Sequence, residues 1–349
     1  MKMYMKSAGL VSLALLAILT MGPVNIVSAQ EAADVATRLA EAVDLYSNLE
    51  FEKGLAITNE LIMQDNLTAR DSIAIYEVMS IITYAKGMEY QRKAYEFLSK
   101  ISAIDPCLIM FPREIWPSEL RDQWYKIVKA KDKLVCEEEA DPDIKNIAIM
   151  EFDNYSVGKY QDELGYLAKG LADFFQHDFS QISSLKVVER DKIDYVLKEL
   201  ELAESGKIDK ATATRVGKML GAQLMVFGSI TQLSSNSTRM IVRVVNVETS
   251  EIIASVDKEG KPDYVKLEKE LVGELAEKLD IMLTDETQMI LKESNTGSMD
   301  AAKLYSKGLD YMDQYDYAKA YEYFKMAYET DKSFTEAKRK MEIYRPLIG

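Results

Sequence analysis

The spacing of apolar residues changes twice along the chain. From about Ala32 to Leu134 it is helical: Leu45, Leu49 and Phe51 lead to Gly54, Leu55 and Leu61, and Ala94, Leu98 and Ile101 lead to Asp105-Pro106. Recurrence every three to four residues marks helices buried on one face. The stretch DPCLIMFPREIWPSELRDQWYKI follows, with Pro112 and Pro117 as breaks and Trp116, Trp124 and Tyr125 as bulk. It predicts a proline-rich cap over the last helix, with Ser118 as the N-cap.

From Lys145 short apolar runs alternate with helical stripes. NIAIMEFDN (146–154) predicts a buried strand ending in Asp and Asn, and Leu164, Leu167, Leu171, Phe174, Phe175, Phe179 and Ile182 trace one face of a helix. LKVVER predicts a second strand, and Asp191 caps a helix beginning at Lys192 with Ile193, Val196, Leu197 and Leu200 inward and Gly206 as its stop. A third helix is expected from Asp209 to Gly221, with Val216, Met219 and Leu220 inward. AQLMVFGSI is apolar almost throughout, so it belongs at the centre of a sheet. TRMIVRVVNVET and SEIIASV read as a hairpin turned at Thr249-Ser250, and Val265, Leu271, Leu275, Leu279 and Met282 mark a closing helix.

The order β-α-β-α-α-β-β-β-α gives the fold class: α/β, a mixed sheet with packed helices, flanked by all-α helical hairpins on both sides. Right-handed crossover predicts that the first helix covers the first two strands. CEEEADPD (136–143) and KESNTGSMD (292–300) read as linkers.

The first 29 residues stand apart. Lys2 and Lys6 precede the apolar stretch LVSLALLAILTM, too short to span a bilayer, and Val27-Ser28-Ala29 forms a small-residue cleavage site that leaves Gln30 first. This predicts a signal peptide and export; an uncleaved N-terminal anchor is the alternative, opposed by Gly22 and Pro23 directly after the apolar run. The expected organisation is a signal peptide over 1–29, a helical domain with its cap over 30–135 and an acidic linker over 136–144. An α/β domain over 145–285, a linker over 286–299 and a helical repeat over 300–349 complete it.

The formal net charge of −14 becomes two units more negative once Lys2 and Lys6 are removed. No basic patch offsets it, so nucleic acid is not an expected partner. Cys107 and Cys136 are the only cysteines. In an oxidising compartment they either pair, closing a loop of about 30 residues, or remain two buried thiols.

AAKLYSKGLDYMDQYDYAKAYEYFKMAYETDKSF (301–334) resembles one tetratricopeptide repeat. Leu304, Gly308 and Tyr311 fall at the first-helix positions and Ala320, Phe324 and Ala327 at the second-helix positions; Lys332 stands where the family usually has proline. The small residues let two helices approach and the large ones fill the contact. One such repeat must bury a face elsewhere, on the α/β domain, on the first helical segment or on a partner. The first helical segment resembles the same repeat in degenerate form.

The middle segment carries a second resemblance. The succession IAIMEF, GLADFF, VVERDKIDYVLKE, GKIDKATATRVGKMLGAQLMVFGSI and VVNVETSEII is similar to the CsgG-type family, named for the outer-membrane channel that exports curli subunits. The resemblance implies that family's periplasmic α/β domain. It does not extend to the lipid anchor, since no cysteine stands at the cleavage site, or to barrel hairpins, since connections such as TQLSSNST are short.

Catalytic sets are sparse. His177 is the single histidine, and with Gln176 and Asp178 beside it the expected setting is a solvated helix face. One histidine and two distant cysteines supply no ordinary zinc site, and neither a Walker loop nor a G-x-G-x-x-G is present. Glu151 and Asp153 at one strand end and Glu189 and Asp191 at the next remain as minority candidates for a ligand or cation site. The expectation is a non-catalytic exported protein without cofactor. It binds protein partners in the cell envelope, self-associates, spans no membrane after signal removal and lies in the periplasm or against the outer membrane.

Overall fold

The computed structural model describes residues 26–136, 144–200, 210–292 and 296–348. They form two compact units, one from the chain up to Lys133 together with Glu342–Gly349, the other from Leu134 to Met341.

The first unit is helical: α1 Ile26–Ser47, α2 Phe51–Leu61, α3 Ala69–Ala85, α4 Gln91–Ile104 and α5 Ser118–Lys129. Leu49 turns the chain between α1 and α2 with a positive φ of 65° and is 40% exposed, so it is not part of the apolar face expected of it. A capping box between Thr68 and Asp71 starts α3, whose residues from Ile73 to Tyr84 are almost all buried. Ala94, Leu98 and Ile101 of α4 and Trp116, Trp124 and Tyr125 of the cap are buried as their spacing predicts. The two tryptophans meet edge to face, 6.0 Å apart. Glu77 of α3 fixes the cap by accepting the backbone N–H groups of Met110 and Phe111, both at 3.0 Å. Ser118 is the first helical residue of α5 and not its cap; Pro117 holds that position, and its fixed φ of −54° starts the helix without a side-chain bond. Tyr344, from the far end of the chain, is fully buried in this unit, 3.5 Å from the Arg121 guanidinium. Both cysteines, Cys107 and Cys136, are disulfide-bonded.

The second unit is a mixed α/β structure built on β1 Lys145–Ile149, β2 Asp153–Asn154, β3 Leu185–Val187, β4 Leu224–Ser234, β5 Ser237–Asn246 and β6 Ile252–Gly260. The sheet order is β3-β1-β4-β5-β6, with β2 beside β4. The apolar run of β4 does lie at the centre. β1 pairs β3 and β4 in parallel, while β4, β5 and β6 are antiparallel. TQLSSNST is not a loop: both strands run through it and only Ser235 and Asn236 separate them. Its Gln232 and Thr238 are buried because the Tyr264 hydroxyl bonds to both, donating to Gln232 at 2.6 Å and accepting from Thr238 at 3.0 Å.

The helices of this unit are α6 Lys159–Glu163, α7 Gly165–Ser180, α8 Arg190–Glu199, α9 Lys210–Leu220, α10 Tyr264–Lys278, α11 Asp285–Lys292, α12 Met299–Asp313, α13 Tyr317–Thr330 and α14 Thr335–Tyr344, whose last turn belongs to the first unit. All seven residues predicted for the apolar face of α7 and its ends are buried. Phe152 lies over β4 where Gly228 leaves room, since a Cβ there would sit 2.2 Å from the ring.

Three boundaries differ from expectation. α8 starts at Arg190 with Glu189 at the cap position and no side-chain cap bond, so Asp191 stands in the first turn. Met282 lies past the end of α10, after a turn at Asp280 with a φ of 54°, and is 95% exposed. α11 occupies residues where the second linker was expected to begin. Gly206, Asp209 and the acidic linker residues 137–143 lie outside the described residues, as do residues 1–25 of the expected signal peptide.

The C-terminal helices pack on α7. Gly170 faces Ser306, Phe174 stacks on Tyr305 at 5.8 Å, and the Tyr305 hydroxyl donates to Asp173 at 2.6 Å. Within the α12–α13 hairpin Gly308 lies against Phe324, and Ala320, Phe324 and Ala327 are fully buried. Tyr311 stacks on Tyr323 at 5.3 Å, half-buried like Leu304. The hairpin thus buries one face on the α/β domain.

Candidate functional site

The four acidic candidates do not gather into one site. Glu151 is exposed just beyond β1. Asp153, in β2, accepts a hydrogen bond from the Tyr155 hydroxyl at 2.9 Å. Glu189 is half-buried at the start of α8, and Asp191, one helical residue on, is 8% exposed. Among the described residues no group of three or more His, Cys, Asp or Glu is arranged to hold a metal ion.

The charge that does converge has two of these acids, Glu151 and Asp191, beside it, but centres on Lys169, Asp310 and Asp313, which were not singled out from the sequence. Lys169 of α7 donates to Asp310 at 2.9 Å and to Asp313 at 2.7 Å, both at the C-terminal end of α12. Arg190 of α8 bonds the same Asp313 oxygen and lies 3.5 Å from Asp194 one turn along its own helix. Two cations from the α/β domain thus meet on one oxygen of the hairpin. Burial opposes the charge on Asp313, but Arg190 and Lys169 prevail and hold its carboxyl below the usual range. Burial pushes Asp194 up to about 7, against the pull of Arg190, with Asp313, Asp191 and Glu151 adding to the rise.

A second buried set joins α7 to α10. Asp178 is 1% exposed and takes Lys269 on both oxygens at 2.7 Å, which corrects the expectation of a solvated face around His177. Beside it Glu268 is fully buried, and burial together with the Asp178 charge pushes its carboxyl well above the usual range. His177 itself is half-buried, and its backbone carbonyl accepts from the Ser180 hydroxyl at 2.6 Å.

A third surface is open. One side of β4 and β5 faces the core through Ile230, Met240, Val242 and Val244. On the other side Phe227 lies under Arg243, 5.5 Å from its guanidinium carbon, and Arg239 pairs with Asp257 at 2.8 Å. Ile241, 37% exposed, stands between the two arginines, and Tyr155, 56% exposed, follows β2 beside them. Such a mixture of aromatic, arginine and aliphatic side chains suits contact with a protein surface better than a reaction.

Residues 133–242 match the family described as curli production assembly/transport component CsgG. They carry a CsgG-like domain. The match spans β1 through most of β5, and so takes in the Lys169–Arg190 pair and most of the open face; the Asp310 and Asp313 partners lie outside it. No curated protein matches the chain in sequence. Among solved structures the chain is similar to the C-terminal domain of LpoB from Salmonella enterica, at 16% identity and a TM-score of 0.28 over 35% of this chain and 88% of that one. It is also similar to the LpoB C-terminal domain from Escherichia coli, at 13% identity and a TM-score of 0.27 over 38% and 91%. Lipoprotein GNA1162 from Neisseria meningitidis matches at 12% identity and a TM-score of 0.29 over 40% and 99%. Among the described residues no helix is long and apolar enough to cross a membrane.

The converging groups were hard to read from sequence because each pair draws on distant segments. Arg190 and Asp194 are one helical turn apart and legible as an i,i+4 pair. Asp313 lies 123 residues from Arg190, and nothing in a single chain announces that partnership.

Proposed function

We propose that the chain is a non-catalytic protein of the cell envelope that serves as an accessory or assembly module of a secretion or surface-assembly system. The observation that carries this reading is the match of residues 133–242 to the curli assembly/transport family. The N-terminal segment with Lys2, Lys6, its apolar run and Val27-Ser28-Ala29 supports export. Protein partners are bound through the tetratricopeptide-like helices, and the CsgG-like domain associates with itself or with a related ring. The open face around Phe227, Ile241 and Arg243 is where such an association is expected to centre.

Size-exclusion chromatography with light scattering, followed by crosslinking and capture from the organism's own envelope, tests the reading. Self-association or recovery of one defined envelope protein is expected, with loss on Ile241→Asp. A strict monomer that captures no envelope protein overturns it. N-terminal sequencing of the exported chain is expected to begin at Gln30.

A further inference from the structure

The cluster that fastens α12 to the α/β domain holds more acid than base. Its cations are Lys169 from α7 and Arg190 from α8. Facing them are Asp191 and Asp194 from α8, Glu151 from the end of β1, and Asp310 and Asp313 from α12. Lys198 of α8 lies over the Tyr315 ring, 5.8 Å from its centroid. The setting is poorly solvated: the side chains of Arg190 and Lys169 are 11% and 14% exposed, and the buried Nη1 of Arg190 has no hydrogen-bond partner. Four part-buried carboxylates around two cations, with the exposed Glu151 near them, favour retention of a proton.

Geometry decides which acid keeps it. Asp313 is the one carboxylate that touches both cations, so its ionised form is the best compensated. Asp194 has only the longer contact of 3.5 Å to Arg190. Both acids approach the same guanidinium nitrogen, Nη2. While Asp194 is protonated, Arg190 belongs to Asp313. Once Asp194 ionises, it competes for Arg190 and repels Asp313.

We propose that Asp194 is a proton-operated release for the α12–α13 hairpin, holding it on α7 and α8 when protonated and loosening it when ionised. The titration near 7 described above places the change close to neutrality. The sign follows from the rise: a carboxyl whose folded value lies above its unfolded one adds stability in full below about 4, and loses it as pH rises through about 7.

Hydrogen exchange of the full chain between pH 5.5 and 8.5, corrected for intrinsic rates, tests the release, with β4 and β5 as the internal reference. Opening of α12 and α13 relative to the sheet is expected to grow about tenfold from pH 5.5 to pH 6.5 and to level off above about pH 7. Asp194→Asn should stay protected across the range, changing less than twofold, and Asp194→Ala should be equally flat. Asp313→Asn should be poorly protected at every pH. A hairpin whose opening does not depend on pH in the unaltered chain, or depends on it equally in Asp194→Asn, overturns the proposal.

Discussion

Gly170 and Ser306 approach so closely that a Cβ on residue 170 would lie 1.9 Å from the serine hydroxyl oxygen and 2.9 Å from its Cβ. This contact sets the distance between α7 and α12. Gly170→Ala is therefore expected to push the helices apart and destabilise the second unit by about 1–3 kcal/mol, as overpacking does. Gly273→Ala, where nothing lies within 4 Å of the added atom in α10, should stabilise by about 0.5–1 kcal/mol. Urea unfolding of the two variants checks both, and equal effects would remove the packing argument.

Glu77 serves the cap in the first unit, where its two oxygens accept the N–H groups of Met110 and Phe111. Glu77→Ala leaves two buried donors without acceptors and is expected to cost about 2–5 kcal/mol. Glu77→Gln keeps one acceptor and should cost less. Hydrogen exchange at Met110 and Phe111 reports the local part of the loss, and unchanged protection there would refute the assignment.

Neither Cys107 nor Cys136 is a free cysteine; we propose that they pair, which would close a loop of about 30 residues and on the chain-entropy model contribute roughly 3–4 kcal/mol. Mass spectrometry without reductant should find no free thiol. Treatment with reductant should lower the denaturation midpoint, and Cys107→Ser should reproduce that drop without reductant.

Asp331, at the C-terminal cap of α13, gathers the Ser333 hydroxyl and N–H, the Thr296 hydroxyl at 2.5 Å and the Gly297 N–H at 2.9 Å. The hydrogen bonds from Ser333 and Thr296 hold its carboxyl down at about 2. A depressed carboxyl contributes stability above about 3.9 and loses it as pH falls through the folded value. The Gly297 and Ser333 amide resonances are expected to titrate with a midpoint near 2, and Asp331→Asn should abolish that transition.

The legible parts of the fold are those in which one element announces its own burial. The unbroken apolar run of β4 gives its central place, and the stripe from Leu164 to Ile182 gives the inner face of α7. Polar side chains misled where burial came from a distant partner. Gln232 looked like a loop residue but is buried beneath Tyr264, and Asp178 looked solvated but is covered by α10 with Lys269. Arg190 is the last residue of the expected strand LKVVER, yet its role depends on Asp313, which no local pattern connects to it. The acids at the strand ends drew attention by type, whereas position separates them.

Tyr344 gives the chain an order of events. The first unit takes its core from two stretches with all of residues 134–341 between them, and the buried ring belongs to the second. During synthesis the early helices can pair locally, but their last contact awaits residues made after the whole CsgG-like domain. Closing so long a loop is slower than forming local contacts. The helical surface that Tyr344 covers therefore stays open until residues 342–349 join the earlier helices.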